Sequence, residues 1–408
     1  MSTLTSIAWK NIWRNRLRSL IIMSATTLGI FAGLLIISFS MGMTEARVST
    51  ALKTEISHIQ IHQPEFLVRD DINMLISPAD SIETVLRQNL AIAGCSPRIR
   101  LNSIISSAET GSNVKITGID PIKEKQVSDL YSKIIDGDYF EKDRVNPVVL
   151  GQKLAERLKV KLNSKIVMQI QDLQGNISPA AFRISGIYKT TNSLYDEFNL
   201  FVLNKDLRKL TGIEKESCHE IAIILKDYQQ SKIVQNELKR QLPRLEILTW
   251  KELDAMLSYL SGAMDQYLYF IMVIILIALI FGIVNTMMMS ILERVKELGM
   301  LMAIGMNKRR ILVMIVYETV LLTLTGALFG IFIGMVVISY LGHHGIDLSL
   351  WGKGLSQFGI APVIYTTIKT SYVVDVVFMV IFTGFVASVF PVVKALKLRP
   401  VEALKTDN

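Results

Sequence analysis

Residues 266–292 read Gln-Tyr-Leu-Tyr-Phe-Ile-Met-Val-Ile-Ile-Leu-Ile-Ala-Leu-Ile-Phe-Gly-Ile-Val-Asn-Thr-Met-Met-Met-Ser-Ile-Leu, a run without one charged side chain. A helix of about 18 or more such residues crosses the ~30 Å hydrocarbon core of a bilayer, because it satisfies its own backbone where lipid offers no partner. Three further runs behave alike: 19–44 carries no charge, 311–340 carries only Glu318, and the last lies between Asp375 and Lys394. The reading is four transmembrane helices, at 19–44, 266–292, 311–340 and 372–396. A secretory signal peptide fits the first run poorly, since its apolar core is too long and no small-residue cleavage site follows.

The net charge of +8 is not spread over the chain. Basic residues gather at Lys10, Arg14, Arg16 and Arg18, at Arg294, Lys296, Lys308, Arg309 and Arg310, and at Lys394, Lys397, Arg399 and Lys405, whereas residues 44–266 are neutral. Cytoplasmic flanks hold the excess of Lys and Arg, so 1–18, 293–310 and 397–408 are expected inside, and 45–265 and the 341–371 loop outside. The basic charge is topological, which argues against nucleic acid as a partner. In the N-terminal arm Trp9, Trp13, Leu17 and Leu20 follow helical spacing beside a basic stripe, the pattern of an interfacial helix lying on lipid headgroups.

Between the first two spans the periodicity is mixed. Residues 56–62 alternate as a strand, a helix follows Pro78, and 99–107 reads as strand; 219–225, 229–242 and 245–249 repeat strand, helix, strand. Two β-α-β units, one at each end, predict a split α/β subdomain with a β-rich lobe, 111–212, inserted. Within the lobe 113–119, 165–171 and 181–188 read as strands, Gly175-Asn176 as a turn and 152–158 as a helix. The fold class is an α+β membrane protein: four transmembrane helices with a large extracytoplasmic α/β plus β-rich domain between helices 1 and 2.

Catalytic and metal signals are sparse. The chain has no Gly-x-Ser-x-Gly, no His-Glu-x-x-His and no Gly-x-x-x-x-Gly-Lys-Ser/Thr phosphate loop. Asp136, Asp138, Glu141 and Asp143 cluster among Lys133, Lys142 and Arg144, the mark of a solvated turn. His58 and His62 would share a strand face, and Cys95 and Cys218 fall where a disulfide is chemically allowed.

The stretch after the second span reads Ile-Leu-Glu-Arg-Val-Lys-Glu-Leu-Gly-Met-Leu-Met-Ala-Ile-Gly over 291–305. Its Glu-Arg-x-x-Glu-Leu-Gly-x-x-x-Ala-Ile-Gly pattern resembles the cytoplasmic signature of FtsX-like, MacB-type ABC permeases. Ala8-Trp9-Lys10-Asn11, Pro391 with Ala395, and Pro400 through Leu404 resemble that family's opening and closing patterns. The resemblance implies a coupling helix docked on a cytoplasmic dimer of ABC ATPase subunits through Glu293, Arg294, Glu297, Gly299 and Gly305. It also implies a non-catalytic permease with no cofactor of its own, ATP and magnesium belonging to the ATPase, in a bacterial inner membrane with both termini cytoplasmic.

A chain of this length with one large outer domain looks most like the lipoprotein-releasing LolC/LolE type. That likeness implies a second permease, identical or paralogous, a lipoprotein substrate and a periplasmic carrier. The alternatives are efflux of a drug, peptide or other amphiphile, with an adaptor protein, and a mechanical transducer that activates a cell-wall hydrolase. Phe31, Phe39, Met41, Met43, Tyr267, Tyr269 and Phe270 are candidates for an acyl-chain surface near the outer boundary, where an aromatic belt is the alternative. Gly326, Gly330 and Gly334 read as a helix-packing stripe. Glu318 is expected near the interface or paired with Lys308–Arg310.

Overall fold

The computed structural model describes residues 16–140 and 144–396. Trp9 and Trp13 of the expected interfacial helix, Glu141 and Asp143 of the acidic cluster, and the Pro400–Leu404 motif lie outside the described residues. The chain divides into a unit of Met1–Met43, Gly262–Ile346 and Ile364–Asn408 and a second of Thr44–Ser261 and Asp347–Val363.

Helix α1 (Arg16–Thr50) continues as a π-helical stretch over Ala51–Ile56. It outruns the uncharged run 19–44 because a helix that satisfies its own backbone has no reason to stop at a lipid boundary. Beyond that run Val48, Ala51 and Leu52 keep an apolar face, which packs with Trp250 and Leu257. Arg47 pairs with Glu55 at 2.9 Å, and Ser57, at φ 63 and ψ 177, ends the helical path.

The second unit contains, in order, β1 (Ile59–His62), α2 (Ala79–Gln88), β2 (Ile92–Ser106), β3 (Gly111–Ile119), β4 (Ile134–Gly137), β5 (Pro147–Gly151), α3 (Gln152–Leu158), β6 (Lys165–Gln171), β7 (Ile177–Tyr188), α4 (Ser193–Phe198), β8 (Asn199–Leu203), α5 (Asn204–Thr211), β9 (Glu220–Leu225), α6 (Ser231–Gln241) and β10 (Glu246–Thr249). Strands β10-β1-β9-β2 form an antiparallel sheet, so the two β-α-β units interleave as their periodicity predicts. Ile82 and Leu86 of α2 and Val234 and Leu238 of α6 close its core against Ile59, Ile61, Ile221 and Ile223.

The lobe is not inserted at Gly111. Strand β2 leaves the first sheet, where Cys95 pairs with Ile223, and enters a hairpin with β3, where Ile105 pairs with Ser112. The order β2-β3-β8-β5-β7-β6 then returns to β2 through Ile105↔Met168 and Ser106↔Val167, closing a barrel. Inward positions alternate along its strands and hold Ile105, Ile116, Leu150, Ile166, Met168, Phe182 and Leu200. The expected boundary at 111 thus cuts a hairpin, because one 15-residue strand serves both halves.

Cys95 and Cys218 are buried in one cluster, yet both thiols are free. The register explains why the disulfide does not form. Cys95 lies opposite Ile223, five residues from Cys218, which at ~3.3 Å per residue is roughly 16 Å, while a disulfide needs Cα atoms within about 7 Å.

Helices α7 (Ala255–Glu293), α8 (Val295–Ala303), α9 (Lys308–His344) and α10 (Thr370–Leu396) follow, with the short strands Ile346–Asp347 and Val363–Ile364 and a short helix, Gly352–Gln357, between the last two. α1, α7, α9 and α10 are the four described helices long and apolar enough to cross a membrane. One cluster joins Ile30, Leu34 and Ile37 of α1 to Leu268, Met272, Ala327, Ile338, Val376 and Val380; another joins Ile22 to Ile283, Met287, Ile311, Met314, Ile315 and Ala387. The glycine stripe of α9 faces α1. A Cβ on Gly326 would lie 2.8 Å from the Met23 carbonyl oxygen and one on Gly330 2.8 Å from that of Thr27, and the Thr27 hydroxyl donates to the Gly326 carbonyl at 2.9 Å. The stripe is therefore a packing surface.

Candidate functional site

The segment between α7 and α9 is built from cap chemistry. Arg294, at φ −103 and ψ 10, breaks the helical path between α7 and α8. At the far end of α8 the Gly305 N–H donates to the Met302 carbonyl at 3.1 Å and the Met306 N–H to that of Leu301 at 3.0 Å, a Schellman closure. It requires the left-handed backbone that Gly305 supplies at φ +98. The Asn307 side chain then accepts from the Arg309 N–H at 3.1 Å and caps α9.

The expected ATPase contacts fall on this segment with different exposures. Glu293, Glu297 and Gly305 are exposed, Gly299 is buried, and Arg294 is turned inward. The Arg294 Nη1 donates to both carboxylate oxygens of Glu318 at 3.3 Å, and its Nε to Glu297 at 3.1 Å. Glu318, expected near the interface or paired with Lys308–Arg310, is 1% exposed and has Arg294 as a partner. The depth of a lone carboxylate in the third apolar run, matched against an arginine at the inner end of the second, is the signal that points to this pair.

The candidate acyl-chain residues differ in exposure. Met41 is buried among Ile37, Met272 and Tyr372, Phe31, Phe39 and Met43 are half-buried, and Tyr267 and Phe270 are exposed. Tyr269 donates to Asp375 at 2.9 Å, and Tyr372 to Asp265 at 2.5 Å, so two phenol–carboxylate bonds tie α7 to α10. A narrow apolar crevice of about 30 Å³ lies between α1, α7 and α10, lined by Gly29, Gly33, Ile275, Leu279 and Val376.

The second unit holds a buried ionic network. Glu124 accepts from Arg98 Nε at 3.1 Å and from Ser96 at 2.9 Å, while Glu220 accepts from Arg98 Nη1 at 2.9 Å, pairs with Arg100, and faces His62 Nε2 at 3.5 Å. Burial alone would raise the Glu220 carboxyl, but Arg100, the bond to His62 and Arg98 outweigh it and hold it well below the usual range. Phe66 stacks between His62 and His219 at 5.6 and 5.3 Å. Among the described residues no three His, Cys, Asp or Glu side chains come together as a metal site. The network joins β1, β2 and β9.

His58 precedes β1 and its Nδ1 accepts from the Leu225 N–H at 2.9 Å. Burial, then Lys53, lowers its pKa to about 4. The unfolded chain takes up this proton near its ordinary 6.5, so the stability from neutral His58 is whole above pH 6.5 and is lost as pH falls toward 4. At ~1.4 kcal/mol per unit, discounted for solvent screening, about 2 kcal/mol is at stake. Asp196, whose carboxyl burial pushes up to about 6, acts in the opposite sense. The informative quantity is therefore the difference between wild type and His58→Gln in denaturant midpoint at pH 7.5 and 4.5. Wild type should lose about 2 kcal/mol more than the variant, and equal losses would show that His58 titrates normally.

Residues 19–241 match the family described as MacB-like periplasmic core domain, and residues 269–400 the one described as FtsX-like permease C-terminal. An uncharacterized ABC transporter permease of Methanocaldococcus jannaschii is 27% identical over 67% of this chain, which spans 66% of that protein's length. The lipoprotein-releasing system transmembrane protein LolE of Haemophilus influenzae is 21% identical over 80% of each chain. The macrolide export ATP-binding/permease protein MacB of Bdellovibrio bacteriovorus is 23% identical over 80% of this chain and 49% of that one.

Proposed function

We propose, for a chain that belongs to the family of FtsX-like, MacB-type ABC transporter permeases, that it is the membrane subunit of a complex releasing lipoproteins from the bacterial inner membrane. The observation that carries the substrate class is the likeness to LolE, which extends over 80% of both chains and so pairs two permeases of similar length. In this reading ATP and magnesium sit on a separate ATPase dimer. Glu293, Glu297 and the Gly305 turn present the docking face, and the basic flanks keep both termini cytoplasmic. A second permease copy or paralogue completes the membrane part, and the domain between the first two spans hands the acylated protein to a periplasmic carrier. Efflux of an amphiphile is the second reading, favoured by the likeness to MacB over 80% of this chain.

Affinity purification from native membranes in mild detergent, with mass spectrometry that includes acylated proteins, separates the two. A small ATPase recovered with lipoproteins is the expected result. An ATPase with an adaptor protein and no lipoprotein favours efflux, and the absence of any ATPase after crosslinking overturns the permease–ATPase assignment.

A further inference from the structure

The segment from Arg294 to Glu318 is closed at both ends. Helix α8 has nine residues, about 14 Å at ~1.5 Å per residue, and Lys308 to Glu318 covers about 15 Å of α9. The two arms are therefore of equal length. At one end the Gly305 turn joins them covalently; at the other Arg294, the last residue before α8, meets Glu318. Between those ends Leu298 packs in one cluster with Ile311, Met314 and Ile315, with Leu301, Met302 and Met306 against it. On its other side α8 follows α7 across Arg294, whose backbone leaves helical geometry, while Met287 and Ile291 of α7 share the Leu298 cluster.

We propose that the Arg294–Glu318 pair makes α8 and the inner part of α9 a single rigid clasp, so that force applied to α8 enters the third span while the joint to the second span bends. Both are positioning residues, acting through the helices they join. A charged group in a span is a functional candidate by default, and this pair adds a second fastening at the end of the two arms opposite their turn. The source of the force rests on the ATPase reading above; the rigidity of the clasp does not.

The test uses the full chain in lipid nanodiscs with spin labels at Met300→Cys and Val313→Cys, exposed positions on α8 and α9, and in a second sample at Met300→Cys and Met289→Cys across the joint. Cys95 and Cys218 are buried and stay in place. Electron–electron distance distributions should be narrow for α8–α9 and at least twofold broader in Glu318→Gln. The charge-swapped chain, Arg294→Glu with Glu318→Arg, should recover the narrow distribution. A merely structural role would leave the swap as broad as the single variant. With a copurified ATPase trapped in its ATP state, the α7–α8 distance should change and the α8–α9 distance should not. An unchanged width in Glu318→Gln, or an α8–α9 distance that moves as much as α7–α8, overturns the inference. If no ATPase copurifies, the functional reading fails and the width comparison still decides the clasp.

Discussion

Replacing Glu220 by Gln should destabilise the domain between the first two spans by about 3–5 kcal/mol, the cost of leaving buried charges without their partner. Glu220 is fully buried and answers Arg98, Arg100 and His62 together. Arg98 would keep Glu124, but Arg100 would hold a guanidinium, one-fifth exposed, against a neutral amide. Because the carboxyl is held well below its ordinary 4.5, its contribution is whole above that value and is lost progressively as pH falls from there toward the lowered pKa. Urea unfolding followed by amide hydrogen exchange in β2 and β9 measures the loss. Glu156→Gln, which breaks an exposed pair with Lys153 at 2.8 Å, is the comparison and should cost no more than about 0.5 kcal/mol. Equal effects would mean that the buried network carries no more weight than a surface pair.

The second large effect is expected in the membrane. Gly330→Leu should abolish a stable four-helix unit, since even the first side-chain carbon would stand 2.8 Å from the Thr27 carbonyl oxygen and 3.1 Å from the Ile30 Cβ. Neither can yield without moving α1, whose backbone sets the approach. Gly330→Ala, with one overpacked carbon, should cost about 1–3 kcal/mol. Gly282→Leu, where a Cβ would meet nothing within 4 Å, should leave the detergent melting curve unchanged. A melting temperature for Gly330→Leu within a degree or two of wild type would show that helices α1 and α9 do not pack as described.

Much of this was legible in residue order because membranes and sheets impose simple periods. The uncharged runs located the four spans, and the alternation around Ile59 and Ile221 gave the interleaved β-α-β pair. The barrel was less legible. Nothing local marks that β2 changes partners midway, and Gly94 and Pro97 inside it resemble a break. Helix lengths were under-read because the apolar run reports where lipid ends, whereas α1 and α7 continue on their own hydrogen bonds. Between α7 and α9 the two motif glycines suggested a helix end, which Gly305 supplies, but the motif could not say which side chains face out. Arg294 faces Glu318 because a carboxylate inside the span needs a cation; the need is legible in the lone Glu318, while the choice of Arg294 follows from α9 lying beside α8.

The barrel closes through two register pairs between β2 and β6, while β6 and β7 share seven and β2 and β3 share eight. Both hairpins join neighbours in sequence; the closing seam joins Ile105 to Met168. Bringing those strands together costs loop entropy that neither hairpin bears, and few hydrogen bonds reward it. Two local hairpins thus supply the cylinder's short-range pairings, while β3–β8, β5–β8, β5–β7 and the sparse β2–β6 seam must all join strands distant in sequence, the seam gaining one more bond from the Ser103 hydroxyl, which donates to the Gln169 carbonyl at 2.8 Å.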